Sequence, residues 1–443
     1  MVRVRRKLAA TIAVTTLLAV SACSSDNTAT PKDTGGAAAT KDVDVFTWWA
    51  AGGEKAGLDG MISVFTKDCA QYKFVNSAVA GGAGDKAKTL LANNLKAGNA
   101  PSSFQAHAGG ELSDYIANKQ VDDITAVFKA DGFDTAFPKT LLDQITVAGK
   151  IYSVPANIHR ANMIWVNPVV LKKAKLDPAK APATVKDWIA DLAKLKAAGV
   201  ATPLVLSKGF AEVMLLESTL LGDLGVDKFN GLYDGSTKWD GADVTAALND
   251  FKTLVSYTNT DRETMDWDAA MSKYLLPTKD PTTATAGYQL MGDWVPAQIL
   301  SLKMADSVYG YWPAPGTDGV YQWLSDSFTL PTGGKDPEGA KCWLKVVGSA
   351  EGQKAFNLVK GSIPARSDAT SEGYPKYQQW AMAQWKTSKL APSLAHGSAG
   401  PSAWSGDVQT AMSAFSANPD VASLQKTLVA AAAKYSNWRS TLG

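Results

Sequence analysis

Cysteine, histidine and charge are all scarce in this chain. Its 443 residues include three cysteines and three histidines, and charged residues make up 19%. So few cysteines exclude a disulfide scaffold, and their odd number asks for one with a separate task. The 44 basic residues nearly cancel the 42 acidic ones, for a formal net charge of +2. That balance speaks against a nucleic-acid binder, which carries a strongly basic domain or stripe. Beyond the N-terminus no run approaches the roughly 18 consecutive apolar residues of a membrane-spanning helix. There is no P-loop, no H-E-x-x-H and no C-x-x-C, and His396-Gly397-Ser398-Ala399-Gly400 lacks the first glycine of a nucleophile elbow. Gly82-Ala83-Gly84-Asp85-Lys86-Ala87 fits a dinucleotide fingerprint, but Pro101–Gly110 offers no acid to hold a ribose, so it reads as a glycine turn feeding a helix. The histidines lack the short spacing of zinc ligands. No cofactor and no metal are expected.

What is present describes a globular body behind an export signal. Hydrophobic residues reach 46%, with 37 Gly and 20 Pro, and at about 100–200 residues per domain the length suggests two or three domains. Arg3, Arg5, Arg6 and Lys7 form a cationic region, and Leu8–Ala22 is an uncharged stretch of signal-peptide length. Arg5-Arg6 lacks the flanks of a twin-arginine signal. The run ends in Leu18-Ala19-Val20-Ser21-Ala22-Cys23, which resembles a bacterial lipobox and makes Cys23 the acylated first residue of the mature chain; simple cleavage after Ala22 is the alternative. Residues 23–40 are rich in Ser, Thr, Ala and Gly and read as a flexible tether. With residues 1–22 removed, 40 basic residues face 42 acidic ones and the formal charge becomes −2. Cys69 and Cys342 remain. They form either a disulfide, which an extracytoplasmic setting permits, or two buried thiols.

The body alternates short strands and amphipathic helices, which predicts an α/β fold with a parallel sheet covered on both faces. Asp42–Thr47, Lys73–Val79, Ser103–His107 and Ala201–Leu206 read as strands. Lys150–Pro155 and Asn162–Asn167 read as paired strands beside a domain crossing. Helices are expected over Gly57–Thr66, Lys86–Ala97, Glu212–Leu221 and Val244–Tyr257, and after the capping pair Thr184/Asp187. From Asp336 onward helices dominate.

Candidate binding residues lie at strand ends. His107 ends a predicted strand, where open α/β sheets bind ligands. His159 lies near the crossing, and His396 in a Gly/Ser-rich loop; for each of the three a structural histidine is the competing reading. Neighbouring strand side chains point opposite ways, so in Trp48-Trp49 one ring can enter the core and the other a cleft. An indole beside the carboxylate of Glu54 suits a sugar, whose C–H faces are apolar and whose hydroxyls need fixed partners.

Phe46-Thr47-Trp48-Trp49-Ala50-Ala51-Gly52-Gly53-Glu54, Gly81-Gly82-Ala83-Gly84, Phe104-Gln105-Ala106-His107-Ala108-Gly109 and Tyr152-Ser153-Val154-Pro155-Ala156-Asn157-Ile158-His159-Arg160 together resemble the substrate-binding lipoproteins of carbohydrate ABC transporters. Met291-Gly292-Asp293-Trp294, Leu324-Ser325-Asp326-Ser327-Phe328 and Lys360-Gly361-Ser362-Ile363-Pro364-Ala365-Arg366 extend the resemblance over essentially the whole mature chain, nearest to the glucose/galactose-type subgroup. It implies a two-lobed periplasmic-binding-protein-like fold of type II with the ligand cleft between the lobes. Lobe 1 would take residues 41–155 and 284–333, lobe 2 residues 156–283 and 334–443. Trp48 and Trp49 would wall the sugar, and Trp267 would supply a second stacking surface. Glu54, Gln105, His107, Asp326, Lys360 and His396 would bond its hydroxyls, with Asp293 and Trp294 shaping the wall. The family often has an aromatic-rich segment after the Ala201–Leu206 strand, where only Phe210 stands here, and this leaves the sugar's size open. The implied protein is no enzyme. It is a monomer that binds a monosaccharide, delivers it to ABC permease subunits and is held to the membrane by its lipid. A lipid-anchored glycoside hydrolase, a binder of short oligosaccharides and a signalling or adhesion lipoprotein are the rival readings.

Overall fold

The computed structural model describes residues 41–79 and 84–442. The expected signal peptide (1–22), Cys23, the tether and the Gly81–Ala83 part of the glycine motif lie outside the described residues. Among the described residues no helix is long and apolar enough to cross a membrane.

The first sheet has the strand order Tyr72–Asn76, Lys41–Phe46, Ser103–His107, Asp326–Thr329, Ser153–Pro155. The first three are parallel, whereas Asp326–Thr329 runs antiparallel to both of its neighbours. The sheet is therefore mixed rather than parallel. Ser103–His107 is buried at every position, as expected of a central strand covered on both faces. Helices Gly52–Asp68, Pro337–Gly348 and Ala350–Lys360 pack together against this sheet.

A second sheet orders Gly310–Pro313, Met163–Val166, Tyr288–Leu290 and Leu204–Val205, and a third orders Lys389–Pro392, Val320–Leu324 and His159–Arg160. Around them lie helices Val185–Ala197, Phe210–Leu224, Ala242–Val255, Ser402–Ala417 and Val421–Tyr435. Thr184 and Asp187 do form the reciprocal capping box that starts the first of these helices.

One expectation is corrected here. Lys150–Pro155 and Asn162–Asn167 do not pair with each other: Ser153–Pro155 pairs with Ser327–Thr329, and Met163–Val166 with Tyr288–Leu290 and Gly310–Pro313. Tyr288–Leu290, Gly310–Pro313 and Val320–Leu324 hydrogen-bond within the second and third sheets, while helices Pro337–Gly348 and Ala350–Lys360 lie on the first. Hydrophobic periodicity identifies a strand but not the strand it pairs with. The chain passes from the third sheet to the first at Ser325, between Val320–Leu324 and Asp326–Thr329. It crosses the other way between Ser153–Pro155 and His159–Arg160, and Ile158 bridges to Ile363 beside it.

Cys69 and Cys342 form a disulfide, so the open question of two thiols is resolved in favour of the bond. It ties the end of helix Gly52–Asp68 to helix Pro337–Gly348, across 273 residues of sequence. Closing so long a loop restricts the unfolded chain most. Replacing both cysteines with alanine should lower the unfolding free energy by about 2–5 kcal/mol, read from urea denaturation. An unchanged midpoint would show that the bond contributes nothing.

Candidate functional site

The crossings bring the polar residues together. Asp326 begins the first-sheet strand that leaves Ser325, opposite His107 in register. Its side chain is buried, and its two oxygens have different donors: Gln105 Nε2 reaches Oδ1 at 2.9 Å and Asn157 Nδ2 reaches Oδ2 at 2.8 Å. The Nε2 atoms of His107 and His159 stand 3.7 and 3.6 Å from the same carboxylate. Burial pushes the Asp326 pKa up, but the proximity of His107, His159 and Lys360 and the Asn157 hydrogen bond outweigh it and hold the group below its ordinary value. A carboxylate kept ionised here is a permanent acceptor.

Each flanking histidine is fixed from behind. His107 Nδ1 lies 2.7 Å from Glu111 Oε2, which also accepts from Lys88 Nζ at 2.8 Å. His159 Nδ1 contacts Asp293 Oδ1, and the Tyr377 hydroxyl donates to Asp293 Oδ2 at 3.1 Å. Both rings thus turn Nε2 toward Asp326. Lys360, buried at the end of its helix, donates to Glu54 at 2.9 Å and retains further N–H donors.

These groups open into a cavity of about 540 Å³. Trp48, Trp49, Glu54, His107, Asp326 and Lys360 line it from the first-sheet side. Trp267, Trp294 and His396, all expected site residues, complete the wall together with Phe210 and His159. The rings form a chain: Trp48 to His107 at 5.1 Å, His107 to His396 at 5.7 Å, His396 to Trp294 at 5.3 Å, and Trp294 to Trp267 at 6.5 Å between centroids. Trp49 is fully buried against Phe328 and Phe356, so it meets the cavity with an edge while serving the core. Gly84, at φ +89°, packs on the face of Trp48, where a Cβ would come within 2.8 Å of the ring.

Gln105 and Asp293 do not line the cavity; they stand one layer behind it. Gln105 spends its amide on Asp326 and accepts from Thr47 Oγ1 and the Trp48 backbone N–H. Gln105 thus backs Asp326, and Asp293 backs His159. Sequence reasoning weighed His159 without assigning it a role in the site, and left out Phe210, Glu111, Lys88 and Asn157. His159 and Asn157 sat within the resemblance motif and Phe210 was noted, but no spacing marks Glu111 or Lys88. Among the described residues no cluster of His, Cys, Asp and Glu is arranged to hold a metal.

A two-lobed α/β fold with an aromatic cleft at its crossings defines a class of ligand-capturing proteins. The chain belongs to the bacterial extracellular solute-binding protein family, which it matches over residues 36–354. It is 33% identical over 386 residues to an uncharacterized ABC transporter extracellular-binding protein of Pyrococcus horikoshii, covering 86% of this chain and 85% of that one. It is 31% identical over 390 residues to a probable sugar-binding periplasmic protein of Mesorhizobium japonicum, covering 86% and 90%. The solved structure of the bacterial solute receptor AcbH, whose substrate is β-D-galactopyranose, superposes with a TM-score of 0.74 at 17% identity, covering 89% of this chain and 98% of that one. A chitin oligosaccharide binding protein gives 0.74 at 20%, covering 89% and 99%.

Glu111 offers a test of the electrostatics. Burial opposes its charge, yet Lys88 and His107 bring its pKa from 4.5 down to about 2. A depressed folded-state value means that its stabilisation is complete above about pH 4.5 and is lost as pH falls toward 2. Glu111→Gln should therefore cost on the order of 3 kcal/mol at pH 7 and far less near pH 2, measured by urea unfolding at each pH. An equal loss at both would remove the charge argument.

Proposed function

We propose that this protein captures a glucose- or galactose-like monosaccharide outside the cytoplasm and presents it to the permease subunits of an ABC importer. The observation carrying the reading is the wall of indole rings around an ionised, fully buried Asp326. Rings cover the apolar faces of a sugar, and fixed acceptors and donors discriminate its hydroxyls, since a mismatched one leaves a buried partner unpaired at about 1–3 kcal/mol. The names of the Mesorhizobium and other relatives as sugar-binding proteins support the same class. The proposal includes an N-terminal signal over 1–22, a lipid on Cys23, a tether to residue 40 and a monomeric body. Its lobes comprise 41–155 with 326–360, and 159–324 with the remainder. Closure of one on the other around the sugar is the population shift that the permease reads.

One observation favours a short oligosaccharide as a second reading. A smaller cavity of about 260 Å³ shares Phe210, Asp266 and Trp267 with the main one. A hydrolase is disfavoured, because glycoside cleavage needs an acid with a raised pKa, and Asp326 is displaced the other way.

Thermal melting of the tetherless protein against mono- and disaccharides tests the proposal, since a ligand of the native state raises its melting temperature. Trp48→Ala and His107→Ala should each weaken the responding sugar by about tenfold or more while the protein stays folded. Unchanged affinity in both by calorimetry would remove the cleft assignment. Steady turnover of aryl glycosides, abolished by Asp326→Asn, would replace binding with hydrolysis.

A further inference from the structure

Glu217, on helix Phe210–Leu224, is buried beyond the cavity wall and plays no part in the contacts described so far. Its Oε1 takes the Leu394 backbone N–H at 2.6 Å and the Tyr233 hydroxyl at 3.1 Å. Its Oε2 takes the Ser393 hydroxyl at 2.9 Å and the Ala395 N–H at 3.3 Å. Ser393 Oγ also lies 3.1 Å from His396 Nδ1. The opposite ring nitrogen of His396, Nε2, is buried without a protein partner, and the ring lies in the cavity wall.

Hydrogen-bond polarity runs through this chain in one direction. An ionised Glu217 can only accept, so Ser393 must donate its single proton to it. Ser393 is then left with lone pairs for His396, and Nδ1 must carry the proton. In a neutral imidazole that leaves Nε2 bare. His396 is neutral in its setting, because burial, and after it His107, Lys88, His159 and Lys360, drives its pKa well below the ordinary histidine value.

We infer that Glu217 is a positioning residue that, through Ser393, fixes His396 Nε2 as a hydrogen-bond acceptor in the cleft. The site then requires a donor, such as a hydroxyl hydrogen, at that point of its ligand. The inference rests on reading the cleft as a sugar site for its consequence, but not for its test.

The tautomer is read directly from imidazole ¹⁵N–¹H correlations of His396 in the ligand-free protein. The spectra are taken at pH 8, above the value of about 7 to which burial raises Glu217 against its four donors. Wild type should show a protonated Nδ1 and a bare Nε2. Glu217→Gln should invert the pattern. Its amide nitrogen, placed where Oε2 stood, donates to Ser393, which turns its own proton onto Nδ1 and leaves the histidine proton on Nε2. Ser393→Ala, which keeps the Leu394, Ala395 and Tyr233 bonds to Glu217, should release the preference and give averaged nitrogen shifts. A bare Nδ1 in wild type, or a wild-type pattern retained in Ser393→Ala, overturns the inference even if Glu217→Gln fails to fold. Thermal melting of wild type and Ser393→Ala with D-glucose and D-galactose is run alongside, with about a tenfold weaker response to the bound sugar expected in the variant. No response to either sugar in wild type counts against the sugar reading, while the spectra still decide the role of Glu217.

Discussion

The site depends on keeping one buried carboxylate ionised at the wall of its cavity. Asp326 sits where the chain enters the first sheet, and two amides, Gln105 and Asn157, hold one oxygen each. An isolated buried charge of this kind would be prohibitive; a fully hydrogen-bonded one flanked by imidazoles and an ammonium is tolerable. Much of the surrounding arrangement follows from that requirement. Asn157 and His159 lie on the neighbouring crossing, and Lys360 at a helix end that points at it, so the strands that join the two halves also carry the groups that stabilise the charge.

A second layer repeats one device. His107 leans on Glu111, His159 on Asp293, and His396 on Ser393 with Glu217 behind it. In each case the Nδ1 edge is occupied, and in His107 and His159 Nε2 is turned toward Asp326. Histidine is a poor recognition element when its tautomer is free, because donor and acceptor exchange at little cost. A fixed imidazole presents one constant donor or acceptor instead.

Much of this was legible in the residues themselves. The alternation of strands and helices placed Ser103–His107 and the helix after Thr184 within a residue or so, because burial on a regular face leaves a periodic trace. Trp48-Trp49 announced itself by rarity and by its place after a strand. The strands Gly310–Pro313 and Lys389–Pro392 were not anticipated. Pairing partners far apart in sequence leave no local period. Glu111 and Lys88 escaped notice for a similar reason: their contacts with His107 are made by the turn of the chain, not by a motif. Gln105 and Asp293 were found in the right neighbourhood, but sequence does not tell a wall from its backing.

The bond between Cys69 and Cys342 joins two helices that both lie on the first sheet. It shortens no path between the halves of the molecule, so it cannot limit how far they part. The bond hardens the half that presents Asp326. Durability is therefore concentrated in the stretches of chain that build and cover the first sheet.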